Sequence, residues 1–198
     1  MPVDRRDLRR RLFALASAQG GYFTAAQAKD VGYTYPAQAH HASTGNWIRV
    51  DRGLFRLGEW VPGLHDHFAR WSLWSKGRAV VSHETALGVH DIGEFEASKI
   101  HMTVPPGFTM RDEALTLHLL DLLPTDVIEM TGFRVTTPLR SLIDVAAAEP
   151  DEEQLARAIQ EAEHRSLVTP KQLRARSEGI DPRAALSIER ALSILESR

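Results

Sequence analysis

The sequence predicts an α+β protein in two parts. Three short helices and a β-hairpin fill residues 1–60, and a mixed α/β module with a helical C-terminus fills residues 61–198. Three observations carry this expectation. Apolar residues recur at helical spacing from Arg5 to Ala18, and capping and proline signals open two more helices before residue 45. Two short β-rich runs flank a tight glycine turn between residues 47 and 57. Beyond residue 138, alternating apolar runs give way to helical periods.

The first helix is expected from Arg5 to Ala18. Leu8, Leu12, Leu15 and Ala16 make one apolar stripe between arginines, and Gly20-Gly21 ends it. Thr24 is a natural N-cap with Gln27 at capping-box spacing, so a second helix opens there and stops at Gly32. Pro36 occupies the first position of a third helix, which runs to about Thr44 and closes at Gly45-Asn46. Trp47 to Val50 and Leu54 to Leu57, joined through Asp51-Arg52-Gly53, read as a hairpin. Helix, helix, turn, helix and hairpin in this order outline a winged helix-turn-helix.

Gly58 to Gly63 reads as a linker. A helix is expected over 65–75, and Ser82 leads into a short helix that ends near Gly88 or Gly93. Ile100 to Val104 and Leu115 to Leu119 alternate as strands, and 126–130 with 133–136 can pair across Thr131-Gly132. Pro138 opens a helix to Ala148, with more helices at 151–165, 169–177 and 182–196. The tryptophans Trp47, Trp60, Trp71 and Trp74 read as packing residues.

The chain of 198 residues has a net charge of −2, which conceals an asymmetry. Residues 1–60 hold nine Lys/Arg against five Asp/Glu, a net of +4; the remainder holds 15 against 21, a net of −6. A small basic module beside a larger acidic one points to a polyanion partner for the basic part. The sequence has no cysteine, so disulfides, cysteine-ligated metals and thiol catalysis are excluded. No run approaches the roughly 18 apolar residues of a membrane span, and the arginine-rich start is unlike a signal peptide. A cytoplasmic protein is expected, with no membrane partner.

In a helix-turn-helix the helix after the turn lies in the major groove of double-stranded DNA. Here that helix is 36–44. If Ala39 and Ala42 face the domain core, Gln38 and His41 share the outward stripe, and Gln pairs bidentately with adenine. Thr34, Tyr35, Ser43 and Thr44 suit contacts that position the backbone. Arg49, Arg52 and Arg56 would make the wing's contacts to phosphate or the minor groove. The competing reading is a three-helix protein-contact module with solvated arginines.

The sequence offers no catalytic residue, no cofactor and no metal site. His65 and His67, His83-Glu84, His90-Asp91, His101 and His118 are dispersed and lack a zinc-protease helix pattern. They read as capping, core and surface imidazoles. Nucleophile elbows and phosphate-cradling glycine loops are missing too.

The stretches Gly21 to Ala28, Trp47 to Leu57, Ser82 to Leu87, Ile100 to Pro105 and Phe133 to Asp144 together resemble, in order, the AbiEi family of antitoxins from bacterial type IV toxin–antitoxin systems. The resemblance implies a winged-helix autorepressor bound to repeats in its own promoter, and a homodimer on that DNA is expected because repeated operators mirror two-fold protein symmetry. It also implies a C-terminal domain that neutralises a nucleotidyltransferase-like toxin, in systems tied to phage defence. A plain regulator without a toxin partner, and a metal-dependent nuclease or hydrolase using second-module His and acidic residues, remain the alternatives.

Overall fold

The computed structural model describes residues 4–197. The order is α1 (Arg5–Ser17), β1 (Tyr22–Thr24), α2 (Ala25–Val31), α3 (Tyr35–Ser43), β2 (Trp47–Asp51), β3 (Leu54–Leu57) and α4 (His67–Trp74). Then come β4 (Val80–Val81), α5 (His83–Val89), β5 (Ile100–Val104), β6 (Leu115–Leu119), a single 3-10 turn at Pro124–Asp126, β7 (Val127–Met130) and β8 (Phe133–Thr136). Four helices follow: α6 (Pro138–Ala147), α7 (Glu152–His164), α8 (Pro170–Glu178) and α9 (Pro182–Glu196). The α+β class is that expected from the sequence.

Two compact units share these elements. The first takes in the chain up to Arg78 together with residues 129–133; the second holds Ala79–Ile128 and the chain from Arg134 onward. The end of the hairpin near residue 60 therefore lies inside the first unit, which also contains α4.

Local chemistry accounts for the helices of the first unit. Asp4 caps α1 by accepting from the Arg6 amide. Thr24 and Gln27 close a reciprocal capping box on α2, and Thr34 caps α3 with Pro36 in its first turn. Gly32 ends α2 at φ 124°, a left-handed geometry that a side chain would resist. Leu12, Ala16, Phe23, Ala28, Val31, Tyr33, Trp47, Phe55 and Leu57 form the core, with Phe23 and Tyr33 meeting the Trp47 ring edge-on.

The sequence reading missed one strand. Three residues, Tyr22–Thr24, pair antiparallel with β3, so the sheet order is β1-β3-β2 and β3 is central rather than an outer strand of a free hairpin. A three-residue strand is too short to leave a periodic signal.

A mixed sheet in the order β6-β5-β4-β8-β7 lies in the second unit except for residues 129–133 of its β7–β8 end. β4 runs antiparallel to β5 and parallel to β8, while β5 and β6 are parallel neighbours. Leu87, Ile92, Leu142, Ile143, Leu155, Ile159, Leu173 and Ile188 fill a core drawn chiefly from α5 to α9.

Inside it sits a buried ion network. Arg140 Nε donates to Asp144 Oδ1 at 2.8 Å and its Nη1 to Asp126 Oδ2 at 3.2 Å; Arg176 Nη2 completes Asp126 at 3.0 Å. Arg140 and Asp144 are four apart on α6, one helical turn, within a stretch that carries the family resemblance. Burial raises the Asp144 carboxyl to about 6, against the opposing pull of Arg140.

Candidate nucleic-acid interface

The α2-turn-α3 unit is set by Gln38. Its side chain is only 3% exposed, and its Nε2 donates to the carbonyls of Ala25 and Tyr33, each at 3.0 Å. Gln38 therefore does not lie on the outward stripe expected for base reading. Ala39 is exposed, and Ala37 and Ala42 pack on the core in its place. The phase of α3 is rotated because a buried amide with two carbonyl partners is as satisfied inside as an apolar residue.

His41 is also corrected. Its ring stacks on Trp47 at 4.9 Å and meets Tyr33 edge-on, and burial, with the neighbouring His40, lowers its pKa. It packs rather than projects. The outward face of α3 instead presents Tyr35, Pro36, Ala39, His40 and Ser43. His40 went unnoticed in the sequence, since only the helix phase separates it from His41.

Tyr35 is 62% exposed, and Lys29 Nζ lies 5.5 Å from its ring centre, joining an aromatic face to a cation at the start of α3. Thr34, Ser43 and Thr44 are exposed but already serve local turns. Thr34 Oγ1 accepts from the Ala37 amide, and Ser43 and Thr44 donate to the His40 carbonyl. Each hydroxyl keeps acceptor capacity for an outside donor.

The three wing arginines differ. Arg52 stands exposed at the hairpin turn, where Gly53 O accepts from the Ala25 amide at 2.8 Å and ties the turn to the start of α2. Arg49 is exposed on β2 and covers the Phe55 ring at 5.3 Å. Arg56 departs from expectation: it is half-buried on the central strand, and its Nε is enclosed with no hydrogen-bond partner among the described residues. β1 flanks it, so it is held in the sheet rather than at a free wing edge.

On α1, Arg9 is bound to Glu59 at 2.8 Å and Arg10 to Asp7 at 2.7 Å, so two of the five arginines of this helix have an acidic partner at the surface. Between α1, the α2–α3 turn and the start of β2 lies a cavity of about 820 Å³, lined among others by Leu8, Tyr33, His40 and Trp47.

The match in sequence covers this same module. Residues 10–58 match the family model of transcriptional regulators of the AbiEi antitoxin type. This stretch runs from α1 to the end of β3. The match is confined to this stretch, 49 of the 198 residues, and leaves the second unit unmatched. No curated protein matches the sequence. In fold, the chain is similar to the crystal structure of the RV2827C protein from Mycobacterium tuberculosis, with a TM-score of 0.61 at 12% identity. That likeness covers 94% of this chain and 77% of the other, and it shows a shared fold. No helix among the described residues is long and apolar enough to cross a membrane.

In the second unit, three histidines that are dispersed in sequence come together. His83 at the start of α5, His101 on β5 and His118 on β6 place ligand-capable atoms within 4.8 Å of one another. The β5–β6 register pairs His101 with Thr116 and Thr103 with His118, so strand alternation sets both histidines on one face. No local signal could reveal this, because register between parallel strands is set at a distance.

Proposed function

We propose that the protein is a DNA-binding transcriptional repressor whose division of labour follows the charge. Residues 1–60 bind operator DNA, and the second unit handles a nucleotidyltransferase-like toxin. The observation that carries the reading is the coincidence of the AbiEi regulator match with the winged-helix elements α1 to β3. The outward face of α3 supplies Tyr35, His40, Ser43 and Thr44 towards the major groove, while Lys29, Arg49 and Arg52 neutralise phosphates beside it. Gln38, His41 and Arg56 act from within, holding the shape of that face.

Two copies on a repeated operator give the arrangement that a palindromic or repeated promoter site requires. The acidic second unit, repelled by the duplex, is left free for a protein partner. A regulator without a toxin would share the DNA-binding half of this reading.

The test is a mobility-shift titration of the full chain on the DNA upstream of its own gene. Specific retardation is expected, with log K falling against log salt at a slope of about −3 for each bound copy if Lys29, Arg49 and Arg52 each neutralise a phosphate. Equal affinity for a scrambled fragment at every salt concentration would overturn the operator assignment. Co-expression with an adjacent nucleotidyltransferase-like gene tests the second half: rescue of growth is expected, and unrelieved toxicity counts against it.

A further inference from the structure

We propose that His83, His101 and His118 form a binding site for a divalent transition-metal ion of the zinc class, with the Glu84 carboxylate at its rim. The site lies entirely in the second unit and stands whether or not the first unit binds DNA.

The geometry is that of a ligand set. His118 Nε2 and His101 Nδ1 are 3.4 Å apart, the edge of a tetrahedron whose metal–nitrogen bonds are about 2.0–2.1 Å. Glu84 Oε2 lies 2.7 Å from His101 Nδ1, so the carboxylate stands beside a ligand-capable nitrogen of the cluster. The ligand-capable atoms of all three histidines lie within 4.8 Å of one another, and the His83 ring, now stacked on His118 with centroids 3.5 Å apart, would turn about its side-chain torsions to aim a nitrogen at the shared ion. Its Nδ1 is engaged with Ser82 Oγ at 3.0 Å, and Ser82 Oγ accepts in turn from Thr103 at 2.9 Å. That leaves Nε2 of His83 for the cluster, held in orientation from behind as metal-bound histidines usually are.

The surroundings agree. His83 sits at φ 55°, a left-handed backbone unusual for a residue with a side chain. Strain of this kind persists where the surrounding structure over-determines it, as in ligand clamps. Three imidazoles and one carboxylate favour zinc, copper or nickel over magnesium or calcium. Occupancy would tie α5, β5 and β6 to one point.

The test uses the metal-stripped full chain titrated with Zn²⁺ by calorimetry, with Co²⁺ as a spectroscopic substitute and Mg²⁺ as a comparison. One ion per chain, tetrahedral Co²⁺ absorption bands, no Mg²⁺ uptake and a Zn²⁺-dependent rise in Tm are expected. His101→Ala and His118→Ala should each weaken Zn²⁺ by more than about tenfold, against no change in His65→Ala. If either alanine variant lacks the native circular-dichroism spectrum, the glutamine replacement at that position carries the comparison. Failure of Zn²⁺ and Co²⁺ to bind the native chain would overturn the proposal, and so would unchanged affinity in folded His101 and His118 variants.

Discussion

The side-chain amide of Gln38 donates to the Ala25 carbonyl at 3.0 Å, fastening the second helix of the helix-turn-helix to the first. A residue type suited to reading adenine is here spent on holding the reading helix in place. Gln38→Ala leaves the Ala25 and Tyr33 carbonyls without this donor. We expect a loss of about 1–3 kcal/mol of stability, measured by urea unfolding. Operator affinity should fall alike across single-base variants of the site. Undiminished stability with discrimination relaxed at one base pair would instead return Gln38 to the base-reading role.

Arg9, Arg49 and Arg52 are all exposed, and Arg9 differs in having an acidic partner, Glu59. Arg49→Ala and Arg52→Ala should each reduce the salt slope of DNA binding by about 1 and weaken all sequences alike. Arg9→Ala should change it less, since its charge is already met. A larger effect at Arg9 than at Arg52 would move the DNA face from the hairpin to α1.

Arg140 is the shared partner of two buried carboxylates. Arg140→Met leaves Asp126 with Arg176 but strands Asp144, and a loss of roughly 3–5 kcal/mol is expected in chemical unfolding. Adding Asp144→Leu should recover much of it, because an apolar pair of similar volume carries no desolvation penalty. A double variant no more stable than the single would contradict this account.

Asp144 also sets a pH dependence. Its folded pKa of about 6 lies above its ordinary value of 3.8, owing first to burial, with Asp126 and Glu84 adding to the rise and Arg140 opposing it. The folded chain therefore binds more protons than the unfolded chain between those values. Through this group, stability is highest below about pH 4 and falls as pH rises to about 6, then levels. Carboxyl-carbon NMR should place the Asp144 midpoint near 6; a midpoint below 4 would show the Arg140 charge prevailing over burial.

The helices and the hairpin were legible because their causes are local. Thr24 with Gln27, Pro36 and Gly53 announce their caps and turn within a few residues, whereas the charge asymmetry about residue 60 does not mark the unit boundary, which falls after Arg78. What only the tertiary structure decided concerns orientation and register. The three-residue β1 places Arg56 on a central strand, and a buried hydrogen-bond pair turns Gln38 inward and leaves His40 outside. Parallel pairing of β5 with β6 brings His101 and His118 beneath His83 from positions far apart in the chain. Periodicity reports which residues share an element's face; it does not report which partner that face will meet.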